Sequence, residues 1–589
     1  MPRFNTSSAF PLRKAALVTL ILTGWLGGAQ AQTIYPIDRA DILEGSKFDF
    51  KVEFPDAPKP DAVKVTINGA SVESVLGKAG TFIESEEGQK HSALWAREVS
   101  LAPGRYVVEA VQGDAKKTVV WNVFPASGPR KAKNVILFIG DGMSIAHRTA
   151  ARILSKGWRE GKYDSELAID DMPNMALIST SGNDTIVTDS ANSASAYTTG
   201  HKSCVNALGV YCAKNALSLD HPKVETIGEL VKRKTKMALG VVTNTEIEDA
   251  TPASMVAHTR RRSDFNEIVK MFLEVKPDVM MGGGSPNFLP KTTPGSKRSD
   301  DLDAIAKFRE AGYTIATTKT EMNAAAAAGA SKLLGLYNTG NIDGAFDLRL
   351  AKKGSVSKFP DQPDVTEQTR AALKILSANP DGFFLMVESG RIDKYSHSLD
   401  WERAVFDTIM LDNAVKVAKD FAADRNDTLI IVVPDHTHAV SLIGTYDDNR
   451  PGQLLRDKLG VYDKSLPPNY GPLDADGFPT DVNTSRRLAV VFGTYPDTCD
   501  TGKPFMDGER VPSVAGADPK TFVANEKDCT APGAARKAGN LPFEANTGVH
   551  SADDGLLTAM GPNAEKFRGR KDNTFVFRVM AEALSLGGK

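Results

Sequence analysis

A doubly wound α/β fold, with a mostly parallel sheet covered by helices and a small immunoglobulin-like β-sandwich in front of it, is what this sequence predicts. Three observations carry that reading. From residue 134 onward, short apolar runs alternate with helix-patterned segments, as in a layered α/β sheet. The runs at 135–139, 383–387 and 429–433 are almost wholly Val, Ile, Leu, Phe and Met, as strands are when both faces of a parallel sheet are covered. Residues 32–130 instead alternate with period two and carry frequent turn signals, the pattern of a small antiparallel sandwich.

A chain of 589 residues exceeds what one hydrophobic core supports, so more than one domain is expected. Lys and Arg total 71 against 73 Asp and Glu, a balance that gives no reason to expect nucleic-acid specificity or an anionic membrane surface. Arg3, Arg13 and Lys14, the apolar stretch 15–25 and Ala29-Gln30-Ala31 read as a signal peptide over residues 1–31, cleaved near Ala31, which predicts a periplasmic or secreted protein. An uncleaved amphipathic anchor is the alternative. No later stretch reaches the roughly 18 apolar residues of a membrane-spanning helix. Cys204, Cys212, Cys499 and Cys529 fit an oxidising compartment, and local pairing predicts the disulfides Cys204–Cys212 and Cys499–Cys529. No close C-x-x-C spacing marks these thiols as a zinc site.

In order along the chain, residues 48–54 alternate Phe-Asp-Phe-Lys-Val-Glu-Phe, and 62–67 end at the hairpin signal Asn68-Gly69. Strands at 94–101, 105–111 and 118–124 complete the sandwich. It shows no catalytic cluster and reads as a passive appendage packed on the main domain, the alternative being a module that docks a partner, wall polymer or second subunit; no partner is identified. Residues 125–133 form a polar linker. The main domain, 134–589, has expected strands at 135–139, 175–179, 238–243, 279–282, 383–388, 429–433 and 488–493. Helices are expected at 144–156, 224–234, 265–275, 302–311, 365–377, 401–424 and 575–586, with Asp364 and Asp400 as N-caps and Asn379-Pro380 as a stop. The alanine run 324–328 reads as helix. Residues 440–545 are rich in Gly, Pro, Asp and Asn and predict a loop-rich insertion over the site, with 488–493 its one clear strand.

Chemistry gathers where strands end. The three apolar runs lead to Asp141, to Glu388 and to Asp435-His436. Sites in such sheets lie outside the carboxyl ends of the strands, and carboxylates brought together there repel one another unless cations neutralise them. Asp393 and His397 stand four apart, so on a helical turn they share a face and can hold one metal. His550 is the candidate for a further imidazole, and His438 follows His436 by two. His91, His147, His201 and His221 lack such context and read as structural or surface, and His258 as packed. Ser190 opens a small-residue helix that ends at Thr199-Gly200, where first-turn N–H groups favour an anion. Taken alone it is most simply a helix cap. Asp249-Ala250-Thr251-Pro252 follows another strand, and Arg260-Arg261-Arg262 comes next; a guanidinium there can grip two phosphate oxygens, or the run can be a solvated helix start.

These segments together resemble the alkaline phosphatase family over about residues 134–560. They are Ile139-Gly140-Asp141-Gly142-Met143, Thr188-Asp189-Ser190-Ala191, Asp249-Ala250-Thr251-Pro252-Ala253, the stretch from Glu388 to His397, Pro434-Asp435-His436-Thr437-His438, and the His550 segment running to Gly561-Pro562. The resemblance implies phosphate-monoester hydrolysis through a phosphoserine on Ser190. It implies two Zn2+ and one Mg2+: Asp393, His397 and His550 around one zinc; Asp141, Asp435 and His436, with Ser190, around the other, about 4 Å away as in two-metal sites; Asp141, Thr251 and Glu388 around the magnesium. His438 matches a histidine that stands behind the first zinc's ligands. Arg262, eleven residues after Thr251, matches the phosphate clamp, with Arg261 an adjacent rival. Asp249 and Lys394 match a subset of the family in which they tune phosphate binding. A homodimer is implied, and the added sandwich leaves its arrangement open. A phosphodiesterase or sulfatase of the same superfamily is the rival. However, Ser190 is followed by Ala191-Asn192-Ser193-Ala194 rather than a Pro/Arg context, and diesterases lack the third metal set and the arginine.

Overall fold

The computed structural model describes residues 32–588, and the signal-peptide reading of residues 1–31 falls outside them. Ten strands build the central sheet in the spatial order Thr314–Ala316, Leu333–Leu336, Val279–Gly283, Ala238–Glu246, Phe383–Ser389, Asn134–Gly140, Thr428–Val433, Gly555–Met560, Asn174–Ser179, Arg570–Asp572. Neighbours run parallel except at Gly555–Met560, which opposes both of its own. Successive side chains of a strand leave on opposite faces. Val135, Leu137, Ile139, Phe384, Met386, Leu429 and Ile431 therefore enter one apolar cluster, beneath helices Ile227–Lys234, Phe265–Val275 and Thr574–Leu584. Ile136, Phe138, Leu385, Val387 and Ile430 enter the other, beneath Ile145–Lys156, Val365–Leu376 and Trp401–Ala422. Each such fully buried side chain contributes about 1.5–3 kcal/mol, which is why the continuous apolar runs specify the middle of the sheet.

The register sets the site. Ile139 pairs with Glu388 on one side and with Val433 on the other, so Asp141, Glu388 and Asp435 emerge at one sheet edge. The four strands at 314–316, 333–336, 555–560 and 570–572 carry no alternation or length of their own that marks them; pairing with the sheet makes them strands. Helix Ile227–Lys234 begins three residues later than its pattern suggests, because Thr226 and Glu229 form a reciprocal capping box.

The segment 440–545 holds more strand than its composition suggests. Arg486–Phe492 stays out of the central sheet and pairs with Val440–Asp447, which also pairs with Leu459–Gly460. Cys499–Cys529 ties a second part of the segment, and Cys204–Cys212 is the other disulfide.

The N-terminal residues form two packed sheets, Thr33–Tyr35, Phe48–Pro55, His91–Val99 and Thr81–Ile83 in one, and Asp41–Leu43, Ala115–Phe124, Gly104–Gln112, Val63–Ile67 and Ala70–Ser71 in the other. Phe48 and Phe50 meet Trp121 edge-on between them, at 6.0 and 5.9 Å. The polar side of Phe48–Pro55 is not solvated as alternation suggests. Asp49, Lys51 and Glu53 are all buried, because that face packs on the segment around 213–225. Lys51 Nζ lies 2.7 Å from Glu53 and 2.8 Å from Glu86, so an ammonium fills the Glu53, Glu86, His91 cluster.

Gly200 ends helix Ser190–Thr199 at φ 77°, and a Cβ there would meet Phe577 at 2.6 Å. Gly200→Ala should cost about 2–3 kcal/mol, from the left-handed backbone plus overpacking, read from the urea unfolding midpoint.

Candidate active site

The loop after Asn134–Gly140 turns sharply at Gly142, φ 66°, where a Cβ would stand 2.8 Å from His438 and 3.1 Å from Asp393. Only glycine lets this backbone come so close. The Gly142 N–H then donates to Asp435 Oδ1 at 3.1 Å, fixing that carboxylate beside Asp141.

Asp393 and His397 lie on helix Arg391–His397, directly after Phe383–Ser389, with Nε2 of His397 3.3 Å from Oδ1 of Asp393. His550 enters from the strand pair it forms with Thr437–His438. Its Nε2 is 3.2 Å from Asp393 Oδ1 and 3.1 Å from His397 Nε2. The other ring nitrogens decide the tautomers. His397 Nδ1 stands 2.6 Å from the Gly548 carbonyl, and His550 Nδ1 2.7 Å from the Thr188 carbonyl. A carbonyl only accepts, so each Nδ1 carries a hydrogen, and each Nε2 is left facing Asp393, where it offers a lone pair once it carries no proton. Zinc bonds of about 2.0–2.2 Å put tetrahedral donor atoms about 3.3–3.6 Å apart, close to the spacing of these three. His438 Nε2 is nearer, 2.7 Å from the same oxygen, a hydrogen-bond distance; it lies within the same donor cluster and holds Asp393 in place.

A second group adjoins the first. His436 Nε2 lies 3.1 Å from Asp141 Oδ1 and 3.4 Å from Asp435 Oδ2, and Asp435 Oδ2 is buried without a partner. Ser190, buried at the first turn of its helix, has its Oγ 3.1 Å from His436 Nε2 and 3.4 Å from both Asp141 oxygens. Asp189, not Ser190, is the helix cap, accepting from the Asn192 N–H. The serine hydroxyl is thus not committed to holding the helix.

Glu388 accepts hydrogen bonds from Thr243 and Thr245, and the Thr251 hydroxyl is buried without a partner. With Asp141 these are oxygen donors only, the set a hard cation such as magnesium prefers. Neither threonine at 243 and 245 is marked by any sequence signal; their role follows from the register of adjacent strands.

Charge completes the fit. Burial, and then Asp393, push the Asp141 carboxyl up to about 7; burial, and then Asp141, push Glu388 up to about 8. Asp435 is also raised well above its ordinary value, by burial and then by Asp141. Lys394 offsets part of the rise at Asp141 and Glu388, but the nearby fixed cations are paired elsewhere. Lys394 lies 2.8 Å from Asp249 Oδ2, and Arg262 2.7 Å from Asp249 Oδ1 and 3.3 Å from Asp189. Burial would raise Asp249, but Lys394 and Arg262 hold it well below the carboxylate range. Four buried carboxylates without a fixed cation, with imidazole lone pairs aimed among them, fit divalent metals.

All thirteen residues singled out from the sequence therefore lie around one sheet edge, and Arg262 rather than Arg261 is the arginine that reaches it. His91, His147, His201 and His221 are buried rather than on the surface, and His258 is packed against Glu229.

A family model described as alkaline phosphatase matches residues 132–586. The chain is 33% identical over 404 residues to an alkaline phosphatase of Escherichia coli K12, covering 61% of this chain and 81% of that protein. To one of Gadus morhua it is 28% identical over 495 residues, covering 78% and 92%. Among solved structures, Thermus thermophilus alkaline phosphatase superposes with a TM-score of 0.54 at 23% identity, over 79% of this chain and 93% of that one. The enzyme of the Antarctic bacterium TAB5 superposes at 0.51 with 22% identity, over 78% and 100%.

Proposed function

The chain belongs to the alkaline phosphatase family and is a phosphate-monoester hydrolase, and on that premise we propose that it works through a phosphoserine on Ser190 at a two-zinc, one-magnesium site. The observation that carries this is the convergence of two histidine lone pairs and the Asp393 carboxylate next to a second donor group that touches Ser190. Asp393, His397 and His550 would hold one zinc, Asp141, Asp435 and His436 the other, and Asp141, Thr251 and Glu388 the magnesium. When bound, these cations would lower the pKa of the Ser190 hydroxyl and offset the charge that builds on the phosphoryl oxygens.

The chain's own groups supply the rest. Ser190 Oγ attacks phosphorus; the Oγ–P bond forms as the ester P–O bond breaks and the alcohol leaves. Water then attacks the phosphoserine, breaking Oγ–P and releasing inorganic phosphate. Arg262, half-buried and raised in pKa by Asp249 against the effect of burial, stays charged and grips two phosphoryl oxygens. Asp249 holds Arg262 and Lys394 at fixed spacing, and His438 steadies Asp393. Four buried carboxylates and a monoester dianion bring six negative charges, the number three divalent cations cancel. A diester monoanion leaves a surplus that a dry site penalises, so monoesters are preferred.

Hydrolysis of p-nitrophenyl phosphate that disappears with chelator and returns with zinc and magnesium, alongside weak hydrolysis of bis-p-nitrophenyl phosphate, is the expected result; chelator-insensitive turnover, or equal rates on both, would overturn the reading. Arg262→Ala should weaken inhibition by inorganic phosphate by about 1.5–3 kcal/mol, roughly 10- to 150-fold. An unchanged inhibition constant would overturn the clamp role of Arg262. The two disulfides support a periplasmic or secreted location. A homodimer follows from family likeness and is read by light scattering.

A further inference from the structure

Beside the clamp arginine lies a cavity of about 530 Å³ whose walls include Asn206, Asn215, His221, Arg260, Arg261 and Arg262, with no carboxylate among the residues that line it. Its volume is within the range of small-molecule sites. Only Arg262 has its charge met by acids, at Asp189 and Asp249. Arg260 donates to the Val205 carbonyl, and neither Arg260 nor Arg261 forms an ion pair among the described residues. Arg260 is half-buried and Arg261 exposed, so both guanidinium groups can meet an anion that enters the cavity.

His221 points the same way by a separate route. It is 2% exposed, and its Nε2 is buried with no partner. Its Nδ1 lies 3.1 Å from the Ala213 N–H, which also donates to the Tyr211 carbonyl, so every hydrogen bond of the ring is made on the Nδ1 side. A buried ring nitrogen without a partner in the wall of an arginine-lined cavity calls for a polar group in the cavity, and a phosphate, which offers acceptor oxygens and a hydroxyl when protonated, meets either form of the ring. The wall is rigid. The Cys204–Cys212 disulfide closes the loop that bears Asn206. Asn215 is held from the N-terminal sandwich, by the buried Lys51 ammonium at 2.7 Å and by Glu87 at 3.2 Å. The cavity also adjoins the site. The Arg262 N–H donates to the Asn206 carbonyl, and the Asn206 N–H to Asp189, the residue before Ser190.

We propose that this cavity is an anion subsite for a second phosphoryl group of the substrate, so that an organic diphosphate is gripped at both ends, one phosphate by Arg262 and the other by Arg260, Arg261 and His221. The inference rests on the phosphatase reading for which end is cleaved; the binding itself does not. The sandwich, through Lys51 and Glu87, then has a part in substrate choice, since it holds one wall of the subsite.

The test compares ADP with p-nitrophenyl phosphate on the metal-loaded, full-length enzyme. In the double variant Arg260→Ala/Arg261→Ala, kcat/KM for ADP should fall at least about tenfold, the loss expected when charged partners of a phosphate are removed, with that for p-nitrophenyl phosphate unchanged. Ser263→Asp, which puts a carboxylate on the exposed rim and removes no packing, should act in the same direction. Equal losses on both substrates, or no loss on ADP, would overturn the proposal. So would a change confined to inhibition by inorganic phosphate, since that outcome assigns the cavity to the free ion. Calorimetric binding of ADP to the same changes built on Ser190→Ala reads the subsite without turnover. A failure of hydrolysis would then count against the phosphatase reading alone, whereas ADP bound equally well with and without the arginines would sink the subsite.

Discussion

Ser190→Ala should lower kcat at least about 10³-fold, a rise of roughly 4 kcal/mol in the barrier, with metal content and melting temperature close to those of the parent. The large effect follows from position: Ser190 Oγ is the hydroxyl that stands 3.1 Å from His436 and 3.4 Å from Asp141, buried at a helix N-terminus. The small structural effect follows from a different residue. Asp189 caps the helix, so alanine at 190 leaves the cap bond to Asn192 intact. The donor atoms around it are also held independently, Asp435 by the Gly142 N–H and its own neighbour's N–H, and His550 by the Thr188 carbonyl. A burst of p-nitrophenol and acid-stable phosphate on the protein, both present in the parent and absent in the variant, identify the nucleophile. Turnover within tenfold of the parent would mean that the reaction does not pass through this oxygen.

The parts of this site that could be read from the sequence are those fixed by local rules. Asp141, Glu388 and Asp435 were visible because each follows an apolar run long enough to be a buried parallel strand, and parallel strands end together at the functional edge. Asp393 and His397 were visible because four residues on a helix is one turn. Ser190 alone read as a cap, and only the surrounding segments lifted it above that. What stayed hidden depends on pairing between distant segments. Thr243 and Thr245 hold Glu388 because two strands share a register, which no local pattern encodes. Gly555–Met560 is a strand because two neighbours accept it, although Gly-Leu-Leu-Thr-Ala-Met has no strand alternation. The alternation at 48–54 was legible, yet it does not say whether the polar face meets water or another domain. Here it meets the segment around 213–225, and Lys51 and Glu53 are buried as a result.

Metal affinity should climb steeply with pH, and its sign follows from the protons the metal-free site holds. Burial lowers the His397 pKa, but Asp393 outweighs it and carries the imidazole up to about 9; Glu388 stands at about 8 and Asp141 at about 7. Each is raised above its unfolded value. The metal-free fold therefore keeps the stability linked to these protons below those unfolded values and loses it as pH rises through about 7 to about 9. A divalent cation needs the same atoms without protons, so it must displace them at neutral pH and fewer of them as pH reaches about 9. A displaced proton steepens apparent affinity by up to about tenfold per pH unit, and with His397 at about 9 the zinc it helps to hold should bind roughly 50-fold more tightly at pH 9 than at pH 7. Zinc titrated into chelator-stripped protein by calorimetry, in buffers of different ionisation enthalpy, should release protons at pH 7 and fewer at pH 9. The gap in melting temperature between loaded and stripped protein should widen over the same interval, because the stripped form is losing stability while the loaded form has no site proton left to lose. A zinc affinity that stays flat from pH 7 to 9, with no proton release, would mean that His397 is not among the groups the zinc occupies.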